Sequence, residues 1–223
     1  MADLRLSSVT EVLKPANSMT VQAWVDGWVV SRNTPKPVRE PWGLRVDVGL
    51  PGHVARHIVP GPTPELLRLL TRAVTAPGTW LKLCGPAEAV APHLPPAWAV
   101  KEQEYMMVMD SLSRALPRTP AGYVPAVTTR AGVTVARLLT TDGEVAARGQ
   151  IALAGTTAVV DQVETAAGHR RRGLGTVIMK MLASAAVSRG ARSGVLVATE
   201  QGQALYATLG WSLHTPVTPA LMT

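Results

Sequence analysis

Three arginines, Arg170, Arg171 and Arg172, run directly into Gly173-Leu174-Gly175-Thr176. Two glycines so close together let a backbone turn tightly with its N–H groups facing inward, and a helix starting there adds a partial positive charge. Arginines around such a turn contribute full charges and planar donors, so the segment suits a pyrophosphate. Two well-known phosphate loops do not match it. A Walker A loop needs Gly-Lys-Ser/Thr after its spacer, and the dinucleotide fingerprint needs a third Gly or Ala where Ile178 stands. By themselves the residues leave two readings open: a phosphate cradle, or an exposed basic turn at the head of a helix.

Other candidate chemistry is thinner. His53 and His57 are four apart and could share a helical face, but no third ligand has suitable spacing, and Gly52 and Pro60 argue against a long helix there. They read as packing or surface histidines, and no metal is expected. Met106, Met107 and Met109 read as adaptable core. Cys84 is the single cysteine, which leaves no disulfide framework and no multi-cysteine zinc site; it reads as a small core residue.

The loop needs a strand before it and a helix after it. Residues 157–165 read as the strand, and Leu174, Val177, Ile178, Met181, Leu182 and Ala185 recur at the spacing of one apolar helix face that Arg189 and Gly190 close. Upstream, residues 133–139 and 144–153 read as strands joined across Asp142-Gly143, a hairpin signal. Downstream come a strand at 193–199, a short helix at 201–209 broken at Gly210, and a last strand from Trp211. The order is β-β-β-α-β-α-β.

The first half carries dense proline and glycine over 35–64 and 86–125 and reads as loop-rich. Thr63-Pro64-Glu65 opens a helix through Leu66, Leu69, Leu70, Ala73 and Val74, while residues 24–30, 44–48, 79–84 and 105–109 read as short strands. Pro117, Pro120, Gly122 and Pro125 put a domain boundary near residue 120. Lys82 precedes Trp98 by the same 16 residues that separate Val195 from Trp211, an echo that a degenerate duplication would leave.

In this context the basic loop resembles the acyl-CoA pyrophosphate loop of the GNAT superfamily of N-acetyltransferases, Arg/Gln-x-x-Gly-x-Gly/Ala, with Arg170, Gly173 and Gly175 in its defined places. Val163, Thr165 and Ala167 stand where the family strand has apolar, Val and Pro, so the proline is missing. Residues 204–211, Ala-Leu-Tyr-Ala-Thr-Leu-Gly-Trp, resemble a second family segment, Ala-x-x-Leu-Tyr-x-x-x-Gly-Phe, with a tighter start and Trp for Phe. The likeness spans about residues 128–217. It implies that acetyl-CoA is the acyl donor, that backbone N–H groups of Arg171, Arg172, Gly173, Leu174, Gly175 and Thr176 hold its pyrophosphate with arginine charge nearby, and that the strand edge at Val163 to Ala167 pairs with its pantetheine arm. Splaying of the strand that starts near Ser193 would make room for the thioester. Tyr206 matches the tyrosine that protonates the departing thiolate. An attacking amine must also lose a proton, for which Asp161 and Glu164 are the candidate bases. Asp161 alternates with Val163 and Thr165 on one strand face, with Glu164 opposite unless the strand bends. Glu200 reads as first-turn charge on the following helix.

Composition bounds the rest. Among 223 residues, 47% are apolar, enough for a core, and the net charge of +7 attracts anions. The excess is spread over both halves, there is no long basic tail, and aromatic residues make up 4%, so nucleic acid is not a favoured partner. No uncharged apolar run is long enough for a bilayer and residues 1–5 lack a signal-peptide layout, so a cytoplasmic protein without a membrane partner is expected. The fold class expected is α/β with a mixed sheet: a GNAT-like acyl-CoA-binding domain over 121–223, preceded by a smaller α/β domain over 1–120 that is either a degenerate GNAT-like half or an unrelated cap, and that completes the substrate cleft. The function expected is transfer of acetyl from acetyl-CoA to a primary amine by direct attack in a ternary complex. The competing readings are a non-catalytic acyl-CoA sensor and a basic nucleic-acid-binding protein. The acceptor, the acyl preference and the oligomeric state, a homodimer included, are left open.

Overall fold

The computed structural model describes residues 15–114 and 117–223; the Met1 to Arg5 segment and residue 116 of the proline-rich stretch fall outside them. Helix α1 (Ser18–Arg32) comes first, where residues 24–30 were expected to form a strand. The helix wins for two reasons. Asn17 accepts from the N–H groups of Met19 and Thr20 through its side chain, and Val21, Trp24, Val25 and Trp28 fall at i, i+3, i+4 and i+7 on a buried face.

The proline-rich stretch that follows contains the strand expected at 44–48 but is otherwise a meander rather than loop: β1 (Val38–Glu40), β2 (Gly43–Leu50) and β3 (His53–Val59), antiparallel and separated by tight turns. Next come α2 (Pro64–Ala73), whose first turn Thr63 caps, β4 (Trp80–Leu83) parallel to β3, the single turn α3 (Ala87–Val90), β5 (Trp98–Val100) and β6 (Glu104–Met109). After residue 120 the chain forms the antiparallel β7 (Tyr123–Arg130), β8 (Val133–Thr140), β9 (Val145–Ala154) and β10 (Thr157–Thr165). Then follow α4 (Leu174–Ser188), β11 (Ser193–Ala198) parallel to β10, α5 (Glu200–Thr208) and β12 (Ser212–Met222).

The two halves repeat one plan. In each, an antiparallel meander leads into strand, helix, parallel strand, short helix, strand: β3-α2-β4-α3-β5 in the first and β10-α4-β11-α5-β12 in the second. Lys82 and Val195 sit on the equivalent strands β4 and β11, Trp98 opens β5, and Trp211 directly precedes the equivalent β12. The halves also exchange strands. Residues 212–217 of β12 pair with β6, which itself lies between them and β11, while residues 218–222 pair with β4 and β5. One path therefore runs β1-β2-β3-β4-β12-β6-β11-β10-β9-β8-β7, and the segments before and after residue 120 share a sheet.

Helix α1 covers one face of the sheet centre, burying Trp24, Trp28 and Val25 against Val159, Val195, Met106 and Val217. Gly27 lets it come close, since a Cβ there would stand 2.5 Å from the Cβ of Val159. Helix α4 covers the other face with Leu174, Ile178 and Leu182, and α2 covers the sheet of the first half with Leu67 and Leu70. Ile58 and Val59 on β3 show the alternation: the first joins the α1 cluster and the second the α2 cluster. Cys84 is a buried member of the α1 cluster. No described helix is long and apolar enough to cross a membrane.

Candidate active site

Strands β10 and β11 start paired and then part. Their parallel register covers Thr157 to Val159 against Ser193 to Val195 and stops, although β10 runs on to Thr165 and β11 to Ala198. A bulge between Asp161 and Glu164 redirects β10, with Gln162 in the left-handed region at φ 51° and its N–H donating to the Asp161 carboxylate at 2.9 Å. The parted strands, the first turn of α4 and the helix α5 enclose a cleft of about 940 Å³. In the first half, β3 and β4 stay paired to Val59 and Leu83 at their ends, and no such gap opens.

The mouth of the cleft is the basic loop. Gly173, at φ 75°, is the N-cap of α4 and brings no side chain to the helix end, so the first-turn N–H groups at Leu174, Gly175 and Thr176 have no intrahelical acceptor. A Cβ at Gly173 would meet no atom within 4 Å, which leaves room in front of those donors. Arg171 also takes a left-handed conformation, φ 62°. The equivalent helix of the first half, α2, is closed: Thr63 Oγ1 accepts from Leu66 N–H, and Pro64 removes another donor. The donors at α4 fit an anionic diphosphate; those at α2 do not.

Of the strand and loop residues named from sequence, Val163, Thr165, Arg170, Arg171, Gly173, Leu174, Gly175 and Thr176 line this cleft. Ala167 and Arg172 are not among its lining residues. Ala167 sits in a 3-10 turn, and Arg172 turns toward β7, where it donates to the Tyr123 hydroxyl, itself 2.9 Å from His169 Nδ1. Helix α5 adds Ala204 and Leu205 from the 204–211 segment, and Gln201 and Gly202, which spacing did not single out.

Tyr206 lines the same cleft from α5. Its ring packs at 6.3 Å from Trp211, and it is 8% exposed. Among the described residues its hydroxyl makes no hydrogen bond. Burial, and then the negative charge of Asp161, push its pKa up to about 12, so the phenol holds its proton at neutral pH.

The bulge puts Asp161 and Glu164 on one face, because they stand opposite Gln150 and Arg148, two residues apart on β9. Val163 is thereby turned to the α4 side, where it lies near Gly149, Ile178 and Leu182, so it does not share a face with Asp161 as simple alternation predicts. Asp161 is heavily engaged. Arg32 from the end of α1 binds both carboxylate oxygens, Ser31 Oγ donates at 2.9 Å, and Gln150 Nε2 in turn holds Ser31 through its hydroxyl and carbonyl, both at 2.8 Å. Glu164 is freer: its side chain is 66% exposed and its ion pair with Arg148 is 3.7 Å long.

On the α1 side the first half contributes a polar wall. Lys82, buried on β4, donates to both oxygens of Glu104 on β6 at 2.6 and 2.7 Å, and burial brings its pKa down to about 8 against the pull of that carboxylate. Arg56, Trp28, Trp80 and His53 stand beside it. His57 is occupied elsewhere, its Nδ1 accepting from Trp42 Nε1 at 2.9 Å. No local signal in the sequence links these residues to Asp161; the fold assembles them.

Comparison with known proteins gives the same picture. A family model described as the acetyltransferase (GNAT) family matches residues 98–211. Among solved structures, a GCN5-related N-acetyltransferase from Kribbella flavida is 17% identical with a TM-score of 0.65, covering 92% of this chain and 95% of that one. A GNAT-family protein from Novosphingobium aromaticivorans is 19% identical, TM-score 0.57, over 91% and 97%. A tandem GNAT protein from the clavulanic acid biosynthesis pathway is 13% identical, TM-score 0.52, over 70% and 67%. No curated protein sequence matches.

Proposed function

The chain belongs to the acetyltransferase (GNAT) family, and from that premise we propose that it transfers an acetyl group from acetyl-CoA to a primary amine by direct attack in a ternary complex. Acyl-CoA-dependent N-acyl transfer is what the family fold serves in general; the donor, the acceptor and the residue roles are our reading. The observation that carries it is the parting of β10 and β11 beside an uncapped helix start flanked by Arg170 and Arg171.

In this reading the N–H groups of α4 and the two arginines hold the pyrophosphate, and the free edge of β10 holds the pantetheine arm through backbone hydrogen bonds. The thioester supplies an activated acyl carbon. The amine forms the new C–N bond, the C–S bond breaks, and Tyr206, which lines the cleft, donates its proton to the departing thiolate. The proton lost by the amine goes to Glu164, directly or through water, since Glu164 is the exposed carboxylate at the cleft. Asp161 acts as a fixed negative charge that also holds Arg32. The first half supplies the acceptor side of the cleft.

The strong engagement of Asp161 is the observation that favours the second reading, a protein that binds acyl-CoA without turnover. Both readings predict acetyl-CoA binding by the wild-type chain. In calorimetric titration, Gly173→Glu should abolish it by placing a carboxylate before the helix donors, whereas Gly173→Asn, which tolerates the left-handed conformation, should keep most of it. Thiol release with an amine panel then separates enzyme from sensor. A folded wild-type chain that binds no acetyl-CoA would overturn both.

A further inference from the structure

The charges on the α1 side of the sheet sort themselves into pairs, with one left over. Arg32 pairs with Asp161, Lys82 with Glu104, and Arg148 with Glu164. Arg56, on β3, has no carboxylate within 4 Å and no hydrogen bond among the described residues. Its Nε is sealed from solvent without a partner, and its guanidinium lies 4.2 Å from the centre of the Trp28 ring. Burial lowers its pKa to about 10 against the pull of Glu104, which Lys82 already engages, and it stays charged at neutral pH.

Glu104 and, more weakly, Asp161 act on this cation only from beyond contact, each already bound to another cation, so its desolvation is incompletely offset, with Trp28 supplying a further part. The location suggests what the charge is for. Arg32 approaches the same Trp28 ring, at 5.8 Å, and Arg32 is bound to Asp161, on the strand whose next residues line the acyl-CoA cleft. His53 stands 6.4 Å from Trp28 and 5.9 Å from Trp80; burial brings its pKa down to about 4, and its Nε2 also has no partner. A fixed cation without a contacting carboxylate, a neutral imidazole and two indole faces thus stand together on the α1 side of the sheet, the side on which Arg32 meets Asp161.

We propose that Arg56 is the anchor for a carboxylate on the acceptor, so that the substrate is a small amine that itself carries a carboxylate. With Nε shut in, only the two terminal nitrogens can bind, in the end-on fork that suits a carboxylate's two oxygens. One unpaired positive charge balances a monoanion, and a phosphate dianion would leave an excess. This rests on the acyltransferase reading for where the amine goes, but not for whether the carboxylate binds.

The test is calorimetry in saturating CoA with matched pairs, free amino acids and ω-amino acids against their carboxamides, and with O-phosphoethanolamine as the phosphate probe. At least one aminocarboxylate should bind wild type roughly 30-fold or more tighter than its carboxamide. Arg56→Met should erase that ratio, Arg56→Lys should restore part of it, and the CoA affinity and a cooperative thermal melt should be retained in both variants. Equal binding of acid and amide, a ratio that survives Arg56→Met, a preference for O-phosphoethanolamine, or no bound aminocarboxylate would each overturn the proposal. Thiol release measured in parallel keeps the two ideas apart. Carboxylate binding that depends on Arg56 without turnover sinks the enzyme and leaves the subsite; turnover of uncharged amines alone sinks the subsite and leaves the enzyme.

Discussion

Tyr206 is protonated at neutral pH as any phenol is, and burial and Asp161 only hold that proton more firmly, so its donor role rests on its place in the cleft and is read out by removing the hydroxyl. Phe keeps the ring against Trp211 and deletes only the hydroxyl, so Tyr206→Phe should lower kcat by roughly 100-fold with little change in acetyl-CoA affinity or melting temperature. An unchanged kcat in a steady-state assay would remove the acid role. His57 gives a pH prediction of the opposite kind. Its pKa is lowered from 6.5 to about 4, first by burial and then by Arg45, so below pH 6.5 the unfolded chain takes up a proton that the folded chain refuses. The stabilisation is present above pH 6.5 and is lost as pH falls toward 4, on the order of 3 kcal/mol for this largely buried ring. Urea denaturation at pH 7 and 4.5 should show a steeper loss in wild type than in His57→Gln, whose amide oxygen can still accept from Trp42. Residues such as Arg170, Gly173 and Tyr206 are readable from sequence because each belongs to a short run with its own spacing. Arg32 and Arg56 are not, since their significance depends on partners such as Asp161, more than a hundred residues away in the chain.

At the scale of elements, the second half is legible because each piece has a clean period: alternation in β8 to β10, the helical repeat of α4, the Asp142-Gly143 turn. Helix α1 is harder because its apolar residues extend round the cylinder, with Val21, Trp24, Val25, Trp28 and Val29 all buried, and a short run of Trp and Val also suits a strand. The meander at 38–59 is obscured by the very prolines and glycines that make its turns. The bulge in β10 has no sequence signature, and without it the orientation of Glu164 is misread. The contact of α1 with β10 can be tested. Gly27→Ala gains about 1 kcal/mol in helix propensity but drives a Cβ into a β-branched side chain that has no room to yield, for a net loss of about 1–2 kcal/mol in urea denaturation. In a Val159→Gly background, which removes the Cβ at 2.5 Å as well as the γ-methyls, the same substitution should be neutral or stabilising; a loss of equal size there would show that the clash is not the cause.

For the molecule as a whole, the duplicated plan has been used asymmetrically. The second half has the open strands and the uncapped helix, and the first has a sealed strand pair, a capped helix and the polar wall. The acetyl-CoA titration should accordingly reach saturation at one equivalent per chain. The strand exchange then bears on how the protein is made. On the ribosome, β4 and β5 appear early, yet the strand that joins them is residues 218–222, more than a hundred residues later. Until that segment emerges, the first half carries unpaired strand edges, and β11 and β6 lack the neighbour that links them to it. Synthesis and folding are thus held out of step: the polar wall of the first half is translated first and is among the last parts to be fixed, and the nascent chain depends on those exposed edges meeting no other strand in the interval.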